Sequence, residues 1–167
     1  MGFERIDDLL NGVTADGSLH GIAATIVSRD GVLYEGAAGD AGPDTMFRNA
    51  SMTKAVATTA ALQLVEQGRL DLDATVASIV PAFGELRVLE GFEAGEPVLR
   101  APRTQATVRQ LMTHTSGCGY HFLNEKLYKY CTGHGFPHVL TGIKQSISAP
   151  LVHDPGTVWE YGVSTDW

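Results

Sequence analysis

The sequence predicts a mixed α/β (α+β) fold, in which an antiparallel sheet is flanked by helices and leads into a mostly helical region. Two apolar runs, near 22–28 and 32–38, flank Asp30-Gly31. Asp-Gly supplies the positive φ angles of a tight type I′ turn, so the runs are predicted to form a β-hairpin. Apolar and small residues at helical spacing predict a long helix over 51–67. Because an isolated two-stranded hairpin is marginal in water, we expect the sheet to be incomplete in this chain.

The rest of the chain is predicted to be mainly helical. Alanines coat much of the 51–67 helix and would let neighbours approach closely on several sides, so we expect it to be central. Residues 84–106 are rich in glycine, proline and charge and indicate a long loop or a small hairpin. Apolar spacing and capping residues predict five shorter helices, over 3–12, 73–79, 107–113, 120–131 and 138–148.

Composition excludes several classes of function. The 167 residues carry a formal net charge of -7, which argues against a nucleic-acid partner because phosphates are met by a basic face. No apolar run approaches the roughly 18 residues of a membrane span. Charges in the first eight positions do not suit a signal peptide, and two cysteines do not make a disulfide framework. We therefore expect a cytoplasmic protein with two reduced thiols and no membrane partner.

The first motif with chemical meaning is Ser51-Met-Thr-Lys54, at the start of the predicted long helix. Serine is a weak nucleophile unless a base lies beside it, and residues three apart are neighbours on a helix. A helix N-terminus also favours a developing oxyanion. A buried lysine can lose its proton near neutral pH and then act as a base. Serine is equally a common N-cap followed by a solvated lysine, so the tetrapeptide alone leaves both interpretations open.

Two further segments give this motif a context. The hairpin and segment 47–55 (Phe-Arg-Asn-Ala-Ser-Met-Thr-Lys-Ala) are followed by 111–117 (Leu-Met-Thr-His-Thr-Ser-Gly) and by 155–161 (Pro-Gly-Thr-Val-Trp-Glu-Tyr). In this order the chain resembles the serine β-lactamase-like superfamily, with the class C β-lactamase and penicillin-binding-protein fold. The superfamily includes D-alanyl-D-alanine peptidases and the family VIII carboxylesterases, which this chain resembles most. The resemblance runs from about residue 18 to the end.

The resemblance implies a role for individual residues. Ser51 corresponds to the acylated nucleophile, Lys54 to the motif lysine, and Tyr161 to the tyrosine that assists as general base in the esterase branch. A phenol has a pKa near 10, so it can act as a base only where positive charge stabilises the phenolate. Lys54 is the obvious source of that charge, which makes the three residues a coupled unit. Tyr120 and Trp159 are candidate substrate-binding residues, although simple packing explains them equally well.

The resemblance also implies an activity. It predicts a serine hydrolase that cleaves small carboxylic esters through an acyl-enzyme on Ser51, with Lys54 and Tyr161 as the general-base unit and without a cofactor. Class C β-lactamases carry Tyr-x-Asn, whereas this chain reads Tyr161-Gly162-Val163, which disfavours β-lactam hydrolysis. The absence of a Gly-x-Ser-x-Gly elbow leaves an α/β-hydrolase origin unsupported. The alternatives are a β-lactamase or D-Ala-D-Ala peptidase, an acyltransferase, and a non-enzyme homologue that acylates weakly and serves as a sensor or binding protein. His114 is expected to be a hydrogen-bonded structural residue.

The same resemblance predicts the domain organisation. Residues 1–70 are expected to form the N-terminal part of an α/β domain, with the hairpin and the serine-lysine helix. Residues 71–167 are expected to form a mostly helical domain that ends at the tyrosine segment. The remainder of the α/β domain is expected to lie outside this chain. Either that remainder or a second chain is the partner expected to complete the sheet.

A zinc site is the rival interpretation of one stretch. Cys118, His121, Cys131 and His134 form two Cys-x-x-His pairs, and such residues can ligate zinc. The intervening residues 122–130 are predicted to be helical, which would separate the pairs by more than about 10 Å. We therefore expect no metal, and two free thiols with surface histidines instead.

Overall fold

The computed structural model describes residues 2–167, which form two compact units that divide between Asn49 and Ala50. The predicted domain boundary at 70/71 stays a prediction. Met1, the first residue of the predicted N-terminal domain, lies outside the described residues.

The first unit contains the predicted hairpin and one helix: α1 (Glu4–Ala15), β1 (Gly21–Ser28) and β2 (Gly31–Gly39). The strands are antiparallel and confirm the predicted pairing. The predicted type I′ turn is wrong, because Asp30 lacks the positive φ that this turn requires and only Gly31, with φ 139°, has one there. The register instead shifts at an irregularity between Ile26 and Val27.

Helix α1 packs on one face of this hairpin. Leu10 of α1 is buried with Tyr34 and Ala38 of β2, and Ile6 lies against them. The Tyr34 hydroxyl donates a hydrogen bond of 2.8 Å to Asp7 Oδ1. This small core gives the hairpin an apolar cover on the face that packs against α1.

The described part of the second unit holds four α-helices and a second hairpin. The helices are α2 (Met52–Glu66), α3 (Val76–Ile79), α4 (Val108–Met112) and α5 (Glu125–Gly133), and the hairpin strands are β3 (Val88–Glu93) and β4 (Glu96–Arg100). Short 3₁₀ turns lie at Pro81–Glu85, Val139–Thr141, Lys144–Ile147 and Val163–Asp166. Of the two alternatives for residues 84–106, the hairpin is therefore correct. The predicted helix after Thr107 is confirmed, and a capping box between Thr107 and Gln110 fixes its start.

Two local predictions are wrong. The helix expected over 138–148 is replaced by two 3₁₀ turns, because Gly142 between them adopts φ 69° and interrupts the helical path. Asp73 does not cap the following helix, which begins after Thr75. The Asp73 carboxylate instead accepts two hydrogen bonds of 2.9 Å from the Arg109 guanidinium.

The main core is formed by residues that come before, within and after the β3–β4 hairpin in the chain. Its buried members are Val76, Phe83, Leu86, Val88, Ala106, Cys118, Tyr120, Leu151 and Val163. Helix α2 was expected to be central, yet none of its 15 residues is buried among the described residues. Across residues 2–167, no helix is both long and apolar enough to cross a membrane.

An ion pair ties β4 to the chain that leads toward Tyr161. Arg100 donates two hydrogen bonds of 2.8 Å to the buried Asp154 carboxylate, and the Arg103 backbone N–H donates a third of 2.8 Å. The Arg100 guanidinium, followed by the Arg103 N–H, lowers the pKa of Asp154 to about 2. The charged carboxylate is therefore a structural element of this unit.

We expect Asp154→Asn to destabilise the protein at neutral pH and to flatten its acid dependence. The pKa of Asp154 is depressed in the folded state, so its stabilising effect is complete above the unfolded value near 4 and is lost as pH falls toward 2. Urea unfolding midpoints at pH 7, 4 and 2 measure this. Asp30→Asn, at an exposed turn, is the matched control. A variant that follows the wild-type midpoint at pH 7 would contradict the assigned role.

Candidate active site

Ser51 lies at the N-terminus of α2, directly after a strained residue. Ala50 adopts φ 45°, a left-handed conformation that is unfavourable for a residue with a Cβ. Ser51 occupies the N-cap position, but its side chain makes no capping hydrogen bond and the residue is exposed. The hydroxyl is therefore not used to stabilise the helix, which leaves it available for chemistry.

Lys54, one turn later, is held by two partners. Its side chain is 15% exposed, and its ammonium donates a hydrogen bond of 2.8 Å to the Tyr120 hydroxyl. Asp166 Oδ2 lies 3.2 Å from Lys54 Nζ. Burial alone would lower the pKa of Lys54, but the Tyr120 hydrogen bond and the Asp166 charge outweigh it and raise the pKa above its ordinary value. These contacts favour the ammonium form of Lys54, and its part in the general-base unit stays a prediction.

Tyr161 lies beside this pair but is not the phenol that Lys54 contacts directly. Lys54 Nζ is 5.8 Å from the Tyr161 ring centroid, and the Tyr161 and Tyr120 rings meet edge to face at 5.5 Å. The His114 ring is 4.8 Å from the Tyr161 ring. The structure thus brings Lys54 and Tyr161 into one cluster, with Tyr120 between the ammonium and the core.

Hydrogen bonds join the 114–117 segment to the stretch 152–164, which contains Tyr161. Backbone bonds link Val152 N–H to Gly117 O at 2.8 Å, Gly156 N–H to Thr115 O at 2.7 Å and Glu160 N–H to His114 O at 2.9 Å. The buried Ser116 and Ser164 hydroxyls are 2.9 Å apart and share a further bond. The 114–117 segment therefore holds the chain around Tyr161 in place through backbone and side-chain hydrogen bonds.

Two glycines allow these segments to lie so close. Gly117 has φ 90°, and a Cβ there would lie 2.3 Å from the His153 carbonyl oxygen. A Cβ on Gly162 would lie 2.5 Å from the Gly119 backbone and 2.6 Å from the Cys118 carbonyl oxygen. Tyr161 is therefore positioned by a backbone contact that no larger residue at 162 permits.

We expect Gly162→Ala to destabilise the protein by about 1–3 kcal/mol, the usual cost of forcing atoms into a packed interior. The added methyl would push against the Gly119 backbone, which cannot yield as a flexible side chain can. Guanidinium unfolding midpoints measure the loss. Gly133→Ala, at a position with open space around its Cβ, is the control that changes the same atom without a clash. Equal midpoints for both variants would contradict this packing account.

His114 supports the same segment. It adopts φ 54°, and its Nδ1 accepts the Gly162 backbone N–H at 3.4 Å. Burial, helped by the nearby Lys54 charge, lowers the pKa of His114, so its ring is neutral and able to accept at neutral pH. This is the hydrogen-bonded structural role that the sequence favours.

The predicted substrate-binding residues differ in their surroundings. Tyr120 is buried, 8% exposed, and its hydroxyl already accepts the Lys54 ammonium. Trp159 is 65% exposed, with its ring 6.5 Å from that of Tyr161. Substrate binding by either residue stays a prediction. Sequence reasoning missed Asp166, for which the one available signal was a carboxylate five positions after Tyr161.

The four candidate zinc ligands do not form a cluster. Among residues 2–167, no three cysteine, histidine, aspartate or glutamate side chains are grouped as a metal site requires. Burial raises the pKa of Cys118 to about 12 and that of Cys131 to about 11, which opposes the thiolate form that zinc binds. His134 Nδ1 lies 2.9 Å from the Tyr130 carbonyl oxygen, and the His121 ring packs against His138.

The serine at the start of α2, the lysine one turn later and the tyrosine beside that lysine all lie in the second unit. The Beta-lactamase family profile matches residues 6–167, so the chain belongs to this family. This confirms the predicted resemblance to the serine β-lactamase-like superfamily and the predicted fold class.

Individual relatives include enzymes of two kinds. Acyltransferase mokF of Monascus pilosus is 44% identical over 126 residues, covering 74% of this chain and 30% of mokF. Esterase EstB of Burkholderia gladioli is 32% identical over 185 residues, covering 97% of this chain and 42% of EstB. The unliganded structure of simvastatin synthase (LovD) from Aspergillus terreus superposes with a TM-score of 0.83 at 30% identity, covering 98% of this chain and 46% of LovD. The chain thus spans less than half the length of each relative.

Proposed function

We propose that the protein cleaves carboxylic esters through an acyl-enzyme on Ser51. The observation that carries this proposal is the arrangement around Lys54. Its ammonium is fixed between Tyr120 and Asp166, one helical turn from the unengaged Ser51 hydroxyl and next to the Tyr161 ring. A charged lysine in this place suits the stabilisation of a phenolate, the form in which a tyrosine can act as base.

In the proposed reaction, the Tyr161 phenolate takes the proton of the Ser51 hydroxyl as Ser51 Oγ bonds to the acyl carbon. The Lys54 ammonium offsets the negative charge on the phenolate before this transfer. The proton then passes from Tyr161 to the departing alkoxide, which leaves as an alcohol and frees the acyl-enzyme. A water molecule or a second alcohol gives its proton to Tyr161 and attacks the acyl carbon. The bond between the acyl carbon and Ser51 Oγ then breaks, and Tyr161 returns the proton to Ser51 Oγ, which restores the serine hydroxyl and the phenolate. The backbone N–H of Ser51, at the positive end of α2, is a donor for the oxyanion.

The acceptor in the second half-reaction distinguishes two candidate activities. Water gives a carboxylesterase, the activity that the sequence favours and that fits the likeness to EstB. An alcohol gives an acyltransferase, which fits the higher identity to mokF and the fold of simvastatin synthase. The missing asparagine after Tyr161 disfavours β-lactam hydrolysis in both cases. The proposed substrate is a small ester, with hydrolysis as the first assignment and acyl transfer as the second.

The exposed apolar face of α2 supports a further part of the proposal. Met52 and Val56 are both 67% exposed, and no residue of α2 is buried. We propose that further polypeptide, either the remainder of the same protein or a second chain, covers this helix and pairs with the β1–β2 hairpin. That polypeptide would also supply the second oxyanion donor.

A single set of assays on the full-length gene product tests the proposal. A fluorophosphonate probe is expected to form a single covalent adduct with the protein. Peptide mass spectrometry should locate this adduct at Ser51. Hydrolysis of p-nitrophenyl butyrate in the presence of increasing butanol separates the activities, since butyl butyrate forms only if an alcohol is accepted. Nitrocefin should remain uncleaved. If Ser51 is labelled but no ester is turned over, the protein is a weakly acylating binding protein and not an esterase. If Ser51 is not labelled, the proposal is wrong.

A further inference from the structure

We propose that Tyr120 is the positioning residue that fixes the Lys54 ammonium for this reaction, an inference that rests on the proposed function. The Tyr120 hydroxyl accepts the Lys54 ammonium at 2.8 Å, and the ammonium also lies 5.4 Å from the centroid of the Tyr120 ring. Among the described residues, Tyr120 is thus the only side chain that makes both a hydrogen bond and a cation–π contact with the Lys54 ammonium. Tyr161, which we propose as the base, is contacted through its ring face alone.

Tyr120 is suited to this role because it is itself held rigidly. It is buried in the core with Cys118 and Val163, and its ring stacks on Phe122 at a centroid distance of 4.7 Å. A lysine side chain has many rotamers and loses much conformational freedom when it is fixed. A buried hydroxyl that accepts its ammonium selects one of these rotamers before the substrate arrives. Without it, the ammonium would be held only by ring contacts and by the half-exposed Asp166.

The charged and titratable groups that face Lys54 come from several segments. They are Tyr120 and His114 from the segment after α4, Tyr161 from the tyrosine segment, and Asp166 from the final 3₁₀ turn. The Tyr120 hydrogen bond and the Asp166 charge keep the pKa of Lys54 raised against the effect of burial. Removal of the Tyr120 hydroxyl leaves Lys54 as buried as before but removes one of the two contacts that raise its pKa. Lys54 then loses its proton at a lower pH than in the wild type.

Tyr120→Phe in the full-length gene product tests this role, because it keeps the ring and its stacking and removes only the hydroxyl. We expect the rate of fluorophosphonate labelling at Ser51 to fall about 10- to 100-fold, the size of effect that follows from misplacement of a reacting group. We also expect the decline of that rate at high pH to begin at a lower pH than in the wild type. Tyr128→Phe, at an exposed position on α5, is the matched control and should label as the wild type does.

A third variant separates a positioning role from a structural one. If Tyr120 acts through Lys54, then Tyr120→Phe has no further effect in a Lys54→Ala background, since the partner that it positions is gone. Near-UV circular dichroism confirms that each variant is folded. Wild-type labelling rates in Tyr120→Phe, an unshifted high-pH decline, or a full additional loss in the Lys54→Ala background would each overturn the inference. A wild type that does not label at Ser51 would instead refute the proposed function, so the two failures are distinguishable.

Discussion

Ser51→Ala is expected to reduce ester turnover by at least about 10³-fold, because it removes the only atom that carries the acyl group in the proposed reaction. The same change is expected to alter the free energy of unfolding by less than about 0.5 kcal/mol, as for an ordinary surface substitution. The reason is that the Ser51 side chain is exposed and makes no capping hydrogen bond with α2. Steady-state kcat/KM with p-nitrophenyl butyrate and urea unfolding midpoints give the two readouts.

The neighbouring Thr53→Ala is the control for this prediction. Thr53 is also exposed near the start of α2, so its replacement makes a similar change to the helix without touching the nucleophile. It should leave both turnover and stability close to wild type. Residual turnover of a few per cent or more in Ser51→Ala would remove Ser51 from the mechanism. Loss of turnover together with a large loss of stability would show that Ser51 supports the fold.

Much of the fold was predictable because its signals are local. The two short apolar runs on either side of Asp30-Gly31 predict the first hairpin, and Thr107 predicts the start of α4. The Ser51-x-x-Lys54 spacing placed a serine and a lysine one turn apart, and helical geometry alone explains why. The turn type was not predictable because it depends on the φ angles of individual turn residues, and Asp30 does not adopt the positive φ that a type I′ turn requires.

The contacts of the site were not predictable, because they join residues far apart in the chain. Lys54 and Tyr120 are 66 positions apart, and nothing in the local pattern of either indicates that they touch. Asp166 was missed for the same reason. The raised pKa of Lys54 follows from these two partners, so it could not be predicted before they were placed. The prediction that α2 is central failed for a different reason. Small residues allow close packing, but they do not identify what packs against them.

Tyr161→Phe is expected to lower kcat by about 10²- to 10⁴-fold, the range that a positioned general base supplies, with little change in KM. The substitution removes the phenolic oxygen and keeps the ring that packs on His114 and Tyr120. The backbone around it is held by bonds that do not involve the hydroxyl, such as Glu160 N–H to His114 O. Steady-state kinetics with p-nitrophenyl butyrate on the full-length gene product measure the effect, with Tyr128→Phe as the control.

The relative loss in the two tyrosine variants decides which phenol moves the proton. Lys54 is bonded to Tyr120 in the structure, so proximity to the ammonium alone would favour Tyr120 as the base. However, a hydroxyl that is buried in the core, 8% exposed, and already engaged with Lys54 is poorly placed to meet the proton of an exposed serine. Tyr161 is only partly buried, and the Lys54 ammonium does not engage its hydroxyl. Tyr161→Phe should therefore cost more in kcat than Tyr120→Phe, and the reverse order would exchange the roles of base and positioning residue.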